Sequence, residues 1–156
     1  MLALLLTAAT ALPVPYVAQG KDTCGAAALA MVLRFWGQPV SQDEIAAELF
    51  EPELRGILGS RLAEFARKRG FTAVAYAGDV AQMREYLDKG RPLVVAWKMR
   101  RGRFHDVVVI GFDEARRQVV VHDPAEGPSR RVGLSTFEKR WAGAGHWTLL
   151  VLPAPP

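Results

Sequence analysis

Cys24 is the only cysteine among the 156 residues, and it stands in "QGKDTCGAAALAMVLRFWG" at 19–37. There a polar segment gives way to an Ala- and Leu-rich run that reads as a helix from about Cys24 to Trp36, stopped by Gly37. The first turn of a helix offers unpaired N–H groups and a positive dipole end, and both favour a thiolate over a thiol. The position therefore suits a nucleophile. It suits a packing residue equally well, because free cysteine is among the most buried residue types. A lipid-anchor role fits poorly: "KDT" precedes the cysteine, where small apolar residues would be needed.

A cysteine nucleophile needs a base, usually histidine, and a third group to orient that base. The chain has three histidines. His105 opens "HDVVVIGF", His122 precedes Asp123 at the end of "VVVHD", and His146 begins "HWTLL". Side chains alternate faces along a strand, so His122 and Asp123 point opposite ways and only one can join a given site. If "FHDVVVIGFD" and "RQVVVHDPA" form a hairpin around "EARR", the start of the first strand lies beside the end of the second. His105 then meets either Asp123 or His122. Pro124 ends the ladder and fixes the loop after Asp123. A carboxylate facing Nδ1 of His105 would hold the correct tautomer and stabilise the imidazolium. His146 reads as an exposed or hydrogen-bonded strand residue. Acyl transfer also requires donors for an oxyanion. The Cys24 N–H is one, and the amide of Gln19, upstream in "VPYVAQGKDTC", is a candidate for the second.

Metal chemistry is not expected, because zinc sites favour paired spacings such as C-x-x-C or H-x-x-x-H and none occurs. No P-loop, dinucleotide-binding glycine motif or G-x-S-x-G is present. The expected cofactor complement is none.

The elements that would position these groups fall into two halves. Ser41 to Glu44, "SQDE", is a capping box opening a helix to about Phe50. "LGSRLAEFARKRG" has Leu58, Leu62, Phe65 and Ala66 at helical spacing, "FTAVAY" reads as a strand, and "DVAQMREYLDKG" is a helix capped by Asp79. Asp22 or Thr23 is the expected cap of the cysteine helix. The second half turns to β-rich runs, "RPLVVAWKM", "FHDVVVIGFD", "RQVVVHD" and "HWTLLVLP", with a short helix expected from the capping box "STFE" at Ser135 to Glu138. Helices followed by an antiparallel sheet mean an α+β fold, with the Cys24 helix laid against the sheet.

Half the residues are hydrophobic and 23% are charged, as in an ordinary globular domain. The formal net charge is +4, carried largely by short runs such as "RKR" and "KMRRGR" at a helix end and at turns. Without interleaved aromatics these read as solvated loop charges, and nucleic acid is not an expected partner. The start, "MLALLLTAATA", is a short apolar run with a small-x-small site at Ala9-Thr10-Ala11. It is too short to span a bilayer. A signal peptide over 1–11 is expected, followed by one domain over 12–156, and hence a periplasmic or secreted location. The alternative is an apolar arm packed on the core of a cytoplasmic protein.

Taken together, "VPYVAQGKDTCGAAALAMVLRFWG", "HDVVVIGFD" and "VVVHDPAEG" resemble the papain-like bacterial cysteine peptidases that process double-glycine leader peptides, family thirty-nine of the cysteine peptidases. The likeness runs from about Pro13 to Pro153 and is closest to the stand-alone, exported relatives. It implies a papain-like fold, Cys24 as nucleophile, His105 as general base and acid, Asp123 as orienting carboxylate and Gln19 as oxyanion donor. Two positions depart from the pattern: Thr23 rather than aspartate directly precedes the cysteine, and Asp106 rather than an apolar or aromatic residue follows the histidine. Family members that process leaders are fused to membrane spans and an ATPase, which these residues do not contain, so the substrate does not carry over. The expectation is a thiol hydrolase cleaving a peptide or related amide bond, with a peptide or protein substrate as partner. A catalytically silent peptide-binding module and a transglutaminase-like acyl transferase are the alternatives.

Overall fold

The computed structural model of the protein describes residues 11–156. The elements run α1 (Cys24–Phe35), α2 (Gln42–Leu49), α3 (Gly59–Lys68), β1 (Thr72–Ala77), α4 (Val80–Asp88), β2 (Leu93–Lys98), β3 (Phe104–Asp113), β4 (Gln118–Asp123), β5 (Gly127–Gly133), α5 (Leu134–Ala142) and β6 (Trp147–Leu152). The strands form one six-stranded sheet in the order β1-β6-β2-β3-β4-β5, antiparallel at every pairing. This is the expected α+β architecture, with the cysteine helix laid on an antiparallel sheet.

Strand alternation divides the core in two. Val94, Val108, Ile110, Val120, Leu149 and Val151 face α1, α2 and α3. Val95, Val107, Val109, Val119 and Val121 face α4 and α5 through Met83, Leu87, Phe137 and Trp141. Both faces of the sheet are therefore covered. That is why β2, β3 and β4 read as nearly continuous apolar runs in the sequence.

Every residue of α1 from Gly25 to Leu33 is buried, as its apolar circumference requires. Gly37 ends the helix in the left-handed region at φ +90°, with its N–H on Arg34 O and that of Gln38 on Leu33 O. The capping box of α2 forms as expected, Glu44 N donating to Ser41 Oγ and Ser41 N to Glu44 Oε2. Asp79 caps α4 by accepting from Gln82 N.

Three local expectations are corrected. Thr23 stands at the N-cap of α1 but makes no side-chain cap, because its hydroxyl donates to Gln42 Oε1 instead. Helix α5 begins at Leu134 after Gly133, so Ser135 lies inside the first turn and no box forms with Glu138. The stretch "GPSRRVG", which carries no strand signal, forms edge strand β5 against β4.

The segment before α1 is tied to the sheet. Leu12 N donates to Ile110 O, and Ala11 packs on Gly111, where an added Cβ would lie 3.2 Å from Ala11 Cα. Residues 1–10, with the apolar run expected to be a signal peptide, lie outside the described residues. Among those described, no helix is long and apolar enough to cross a membrane.

Candidate active site

The β3–β4 hairpin pairs Val108 with His122 and Val109 with Val121. Continuing that register sets Asp123 beside Val107, and so one step along the same face from His105. The two side chains meet: His105 Nε2 lies 2.7 Å from Asp123 Oδ1, and both residues are buried. The expected carboxylate–histidine contact therefore forms, but through Nε2 and not Nδ1. Nδ1 is the ring nitrogen left over, and Cys24 is the second group, beside Asp123, whose proximity acts on the imidazole.

Burial alone would push the His105 pKa down. Hydrogen bonding and charge from Asp123, reinforced by Cys24, outweigh it and raise the value to about 10. The imidazolium is thus the stable form at neutral pH. Burial would push Asp123 up, but His105 and the amides of Ala125 and Glu126, which donate to the same Oδ1, bring it below the usual carboxylate range.

The other two histidines are occupied elsewhere. His122 lies on the opposite face, as alternation requires. Its Nδ1 accepts from Ser129 N, so Nε2 carries the proton and donates to Val14 O at 2.7 Å. Burial depresses its pKa, leaving a neutral histidine that ties the N-terminal segment to β4. His146, just before β6, holds Glu138 Oε1 at 2.6 Å.

Cys24 occupies the first residue of α1, and the first helical bond is Ala27 N to Thr23 O, at 2.9 Å. The amides ahead of Ala27 have no partner within the helix. Gly25 follows for a steric reason: a Cβ there would lie 2.8 Å from Asp106 Oδ2 and 3.3 Å from a Leu62 methyl. The Cys-Gly pair thus lets α1 seat directly on Asp106 of β3. Asp106 is half-buried on the cavity wall, and desolvation raises its carboxyl to about 6 against the opposing pull of His105.

Gln19 is held by backbone and side chain. Its N–H donates to Pro124 O, in the loop after Asp123, while Tyr16 Oη donates to Asp123 O and Pro124 O. Its Nε2 reaches Gly20 O at 3.3 Å, and its Oε1 is buried without a partner. The loop from Gln19 to Thr23 is clamped by a residue that sequence reasoning passed over. Gln42 Oε1 accepts from both Gly20 N and Thr23 Oγ1 at 3.0 Å, and its Nε2 donates to Ala18 O. The motif "SQDE" announces only the cap, and nothing in it marks the glutamine.

Gln19, Cys24, His105, Asp106 and Asp123 all line one cavity of about 830 Å³. Of the exposed large apolar residues, Leu54, Leu58, Met99 and Phe104 all border this cavity. An apolar rim beside convergent polar groups is the pattern of a ligand cleft. Among the described residues, no group of His, Cys, Asp and Glu is arranged to hold a metal ion.

The model of the Peptidase_C39 like family matches residues 11–148. The Lactococcin-G-processing and transport ATP-binding protein LagD of Lactococcus lactis subsp. lactis is 28% identical over 139 residues. That alignment takes in 88% of this chain but only 18% of LagD. A double glycine motif protease from an AMS/PCAT transporter, solved in complex with the leader peptide, matches with a TM-score of 0.75 at 23% identity, covering 92% of this chain and 94% of that one. The peptidase domain of Streptococcus ComA, a bi-functional ABC transporter involved in a quorum sensing pathway, matches with a TM-score of 0.73 at 25% identity, covering 88% and 96%.

Proposed function

The chain belongs to the Peptidase_C39 like family, and on that premise we propose that it is a cysteine peptidase with Cys24 as nucleophile, His105 as general acid and base, Asp123 as orienting carboxylate and Gln19 as oxyanion donor. One observation carries the reading: a single buried imidazole, bound to a carboxylate through Nε2, lines one cavity with the only thiol of the chain.

The attacking species is the Cys24 thiolate, with its proton held on His105. The sulfur attacks the scissile carbonyl, forming a C–S bond while the π electrons move to oxygen. The Cys24 N–H and the Gln19 amide stabilise that oxyanion. A half-turn of the Gln19 amide exchanges its buried, unpartnered Oε1 for Nε2–H and completes the pair of donors. The intermediate collapses as the C–N bond breaks, and His105 gives its proton to the leaving amine. The neutral imidazole then takes a proton from water. The resulting hydroxide attacks the thioester, and the acid product leaves with the thiolate and imidazolium restored. Asp123 keeps the ring oriented throughout, and no cofactor enters.

A thiol-reactive electrophile tests the site. Fast labelling of Cys24 near pH 6 that is lost in His105→Ala is expected. Cleavage within a peptide library by the wild-type chain, absent with Cys24→Ala, is the second expected result. Sluggish labelling indifferent to His105 would make Cys24 a packing residue. Fast labelling with no turnover would leave a binding module.

A further inference from the structure

Asp106 is not used in the mechanism above. Its partner across the β2–β3 ladder is Ala96. The β2–β6 ladder pairs Val95 with Thr148, which brings Trp147 alongside Ala96. Trp147, Ala96 and Asp106 thus form a row across three strands, and all three line the cavity that holds Cys24. The indole abuts the start of α3, where a Cβ on Gly59 would lie 2.5 Å from a ring carbon. At the other end, Asp106 Oδ2 abuts Gly25, the neighbour of the nucleophile. The row is therefore an apolar floor that ends in a carboxylate, one residue from the reacting sulfur.

The other charges on this cavity are mostly matched. Asp22 is held by Arg103 at 3.1 Å and Arg55 at 3.5 Å, and Asp123 by His105. Glu126 and Arg100 are exposed at its edge. Among the described residues no hydrogen bond or ion pair holds Asp106, and the charge that acts on it is His105, next along β3. A half-buried carboxylate that faces the cleft with no protein partner is left to pair with a cation brought by a ligand. The sequence makes the same point from another side, since the resemblance calls for an apolar or aromatic residue where Asp106 stands.

We propose that the cleft selects a substrate residue with an apolar stem and a cationic head, lysine or arginine, adjacent to the scissile bond. The stem lies along Trp147 and Ala96, and the head pairs with Asp106. Leu58, exposed at the start of α3, closes over the stem. This rests on the peptidase reading for the words "scissile bond", but the pocket is testable without turnover.

The probes are acetylated pentapeptides that carry lysine, norleucine or Nε-acetyl-lysine at each position in turn. Their binding to the Cys24→Ala chain is followed by tryptophan fluorescence. At one position lysine is expected to bind about tenfold more tightly than either neutral analogue, the increment of one charge-assisted contact. In the Cys24→Ala/Asp106→Asn chain the three are expected within about twofold of one another. The comparison of lysine with its neutral analogues needs only the chain with Asp106 intact, so a poorly folding variant does not remove the test. No position that prefers lysine, whether for want of binding or of discrimination, overturns the proposal. So does a preference that survives Asp106→Asn. A lysine preference in binding with no cleavage of the same library by wild type leaves the pocket standing and sinks the peptidase reading. Cleavage with no such preference does the reverse.

Discussion

His105 Nε2 and Asp123 Oδ1 are 2.7 Å apart, and the same Oδ1 accepts the amides of Ala125, at 2.9 Å, and Glu126, at 3.2 Å. The loop after β4 therefore helps to aim the carboxylate at the histidine. A ring held this way keeps one nitrogen committed and presents the other. It also keeps the proton that a leaving amine needs.

Removing that carboxylate has a signed consequence. Asp123→Ala removes two of the influences that raise His105, so its pKa falls from about 10 and the alkaline limb of kcat/KM moves to lower pH. A loss of about 100-fold in kcat is expected, within the usual range for one acid–base participant. Stability responds in the same direction. The raised histidine contributes stability that is full below its unfolded value of about 6.5 and is lost as pH rises through about 10. The depressed Asp123 contributes stability that is present above its unfolded value and lost as pH falls through the folded one. In urea unfolding the contribution of this pair should thus reach its plateau between these limits. Asp123→Ala should lower that plateau by about 3 kcal/mol, the cost of stranding one member of a buried pair. A pH profile that does not move in Asp123→Ala would remove this carboxylate from the mechanism.

Much of this site was legible in the sequence because its parts sit where local rules are strong. Ala, Leu and a terminal glycine announce α1, and with it the place of Cys24 at a helix N-terminus. Period-two alternation separates His122 from Asp123, so a hairpin can deliver only one of them to His105. What was not legible depends on tertiary neighbours. Strand β5 is an edge strand with four consecutive exposed residues, so it lacks the apolar alternation that marks a strand. Nε2 rather than Nδ1 meets Asp123 because ring orientation is set by the packed surroundings and not by residue order. Ser135 and Glu138 have box spacing, yet the chain leaves β5 at Gly133 already turning into the helix. Gln42 bonds residues 19 to 24 positions away in sequence, and no local pattern records such a contact.

Gly25 tests the seating of α1. Alanine is favoured over glycine in a helix by about 1 kcal/mol. Here its Cβ would lie 2.8 Å from Asp106 Oδ2 and 3.3 Å from Leu62, so one of them must move. Overpacking of this kind costs about 1–3 kcal/mol, which outweighs the propensity gain. Gly25→Ala is expected to lower stability by about 1 kcal/mol and kcat/KM by at least tenfold, since the displaced neighbours pack on the residue next to the nucleophile. Gly25→Ala/Asp106→Ala should regain most of the stability in thermal unfolding, because the closer of the two contacts is gone. Additive losses would mean that the contact is not what requires glycine.

Gln42→Leu keeps the volume of the clamp and deletes its three hydrogen bonds to the Ala18–Thr23 loop. These bonds are partly exposed, so the stability loss is expected to be modest, about 1–2 kcal/mol. The functional loss is expected to be larger. The loop carries Gln19 and leads into Cys24, and a displacement near 1 Å in a reacting group is worth about 100-fold in rate. The fall should appear in kcat, with KM for a peptide substrate changing less, because the apolar rim of the cleft is untouched. Steady-state kinetics separates the two, and a change confined to KM would mean that Gln42 shapes binding and not the oxyanion loop.

Asp106 gives the sharpest contrast between stability and use. Its carboxyl is raised to about 6 because burial disfavours the charge. A raised carboxyl binds its proton more tightly in the folded chain than in the unfolded one, so stability falls as pH climbs from about 4 toward 6 and stays reduced above. Asparagine has the same shape without the charge. Asp106→Asn is therefore expected to raise the melting temperature at pH 7.5 by about 2–4 °C, the shift that 1 kcal/mol produces in a domain of this size. At about pH 3, below both the unfolded and the folded value, the carboxyl is largely protonated in both states and the gain should all but vanish. A lysine peptide bound to the wild-type chain should reproduce the stabilisation at pH 7.5, and should fail to do so in Asp106→Asn. An equal melting temperature for the two chains at both pH values would mean that the carboxylate is solvated and matched, and that its place on the floor of the cleft costs the fold nothing.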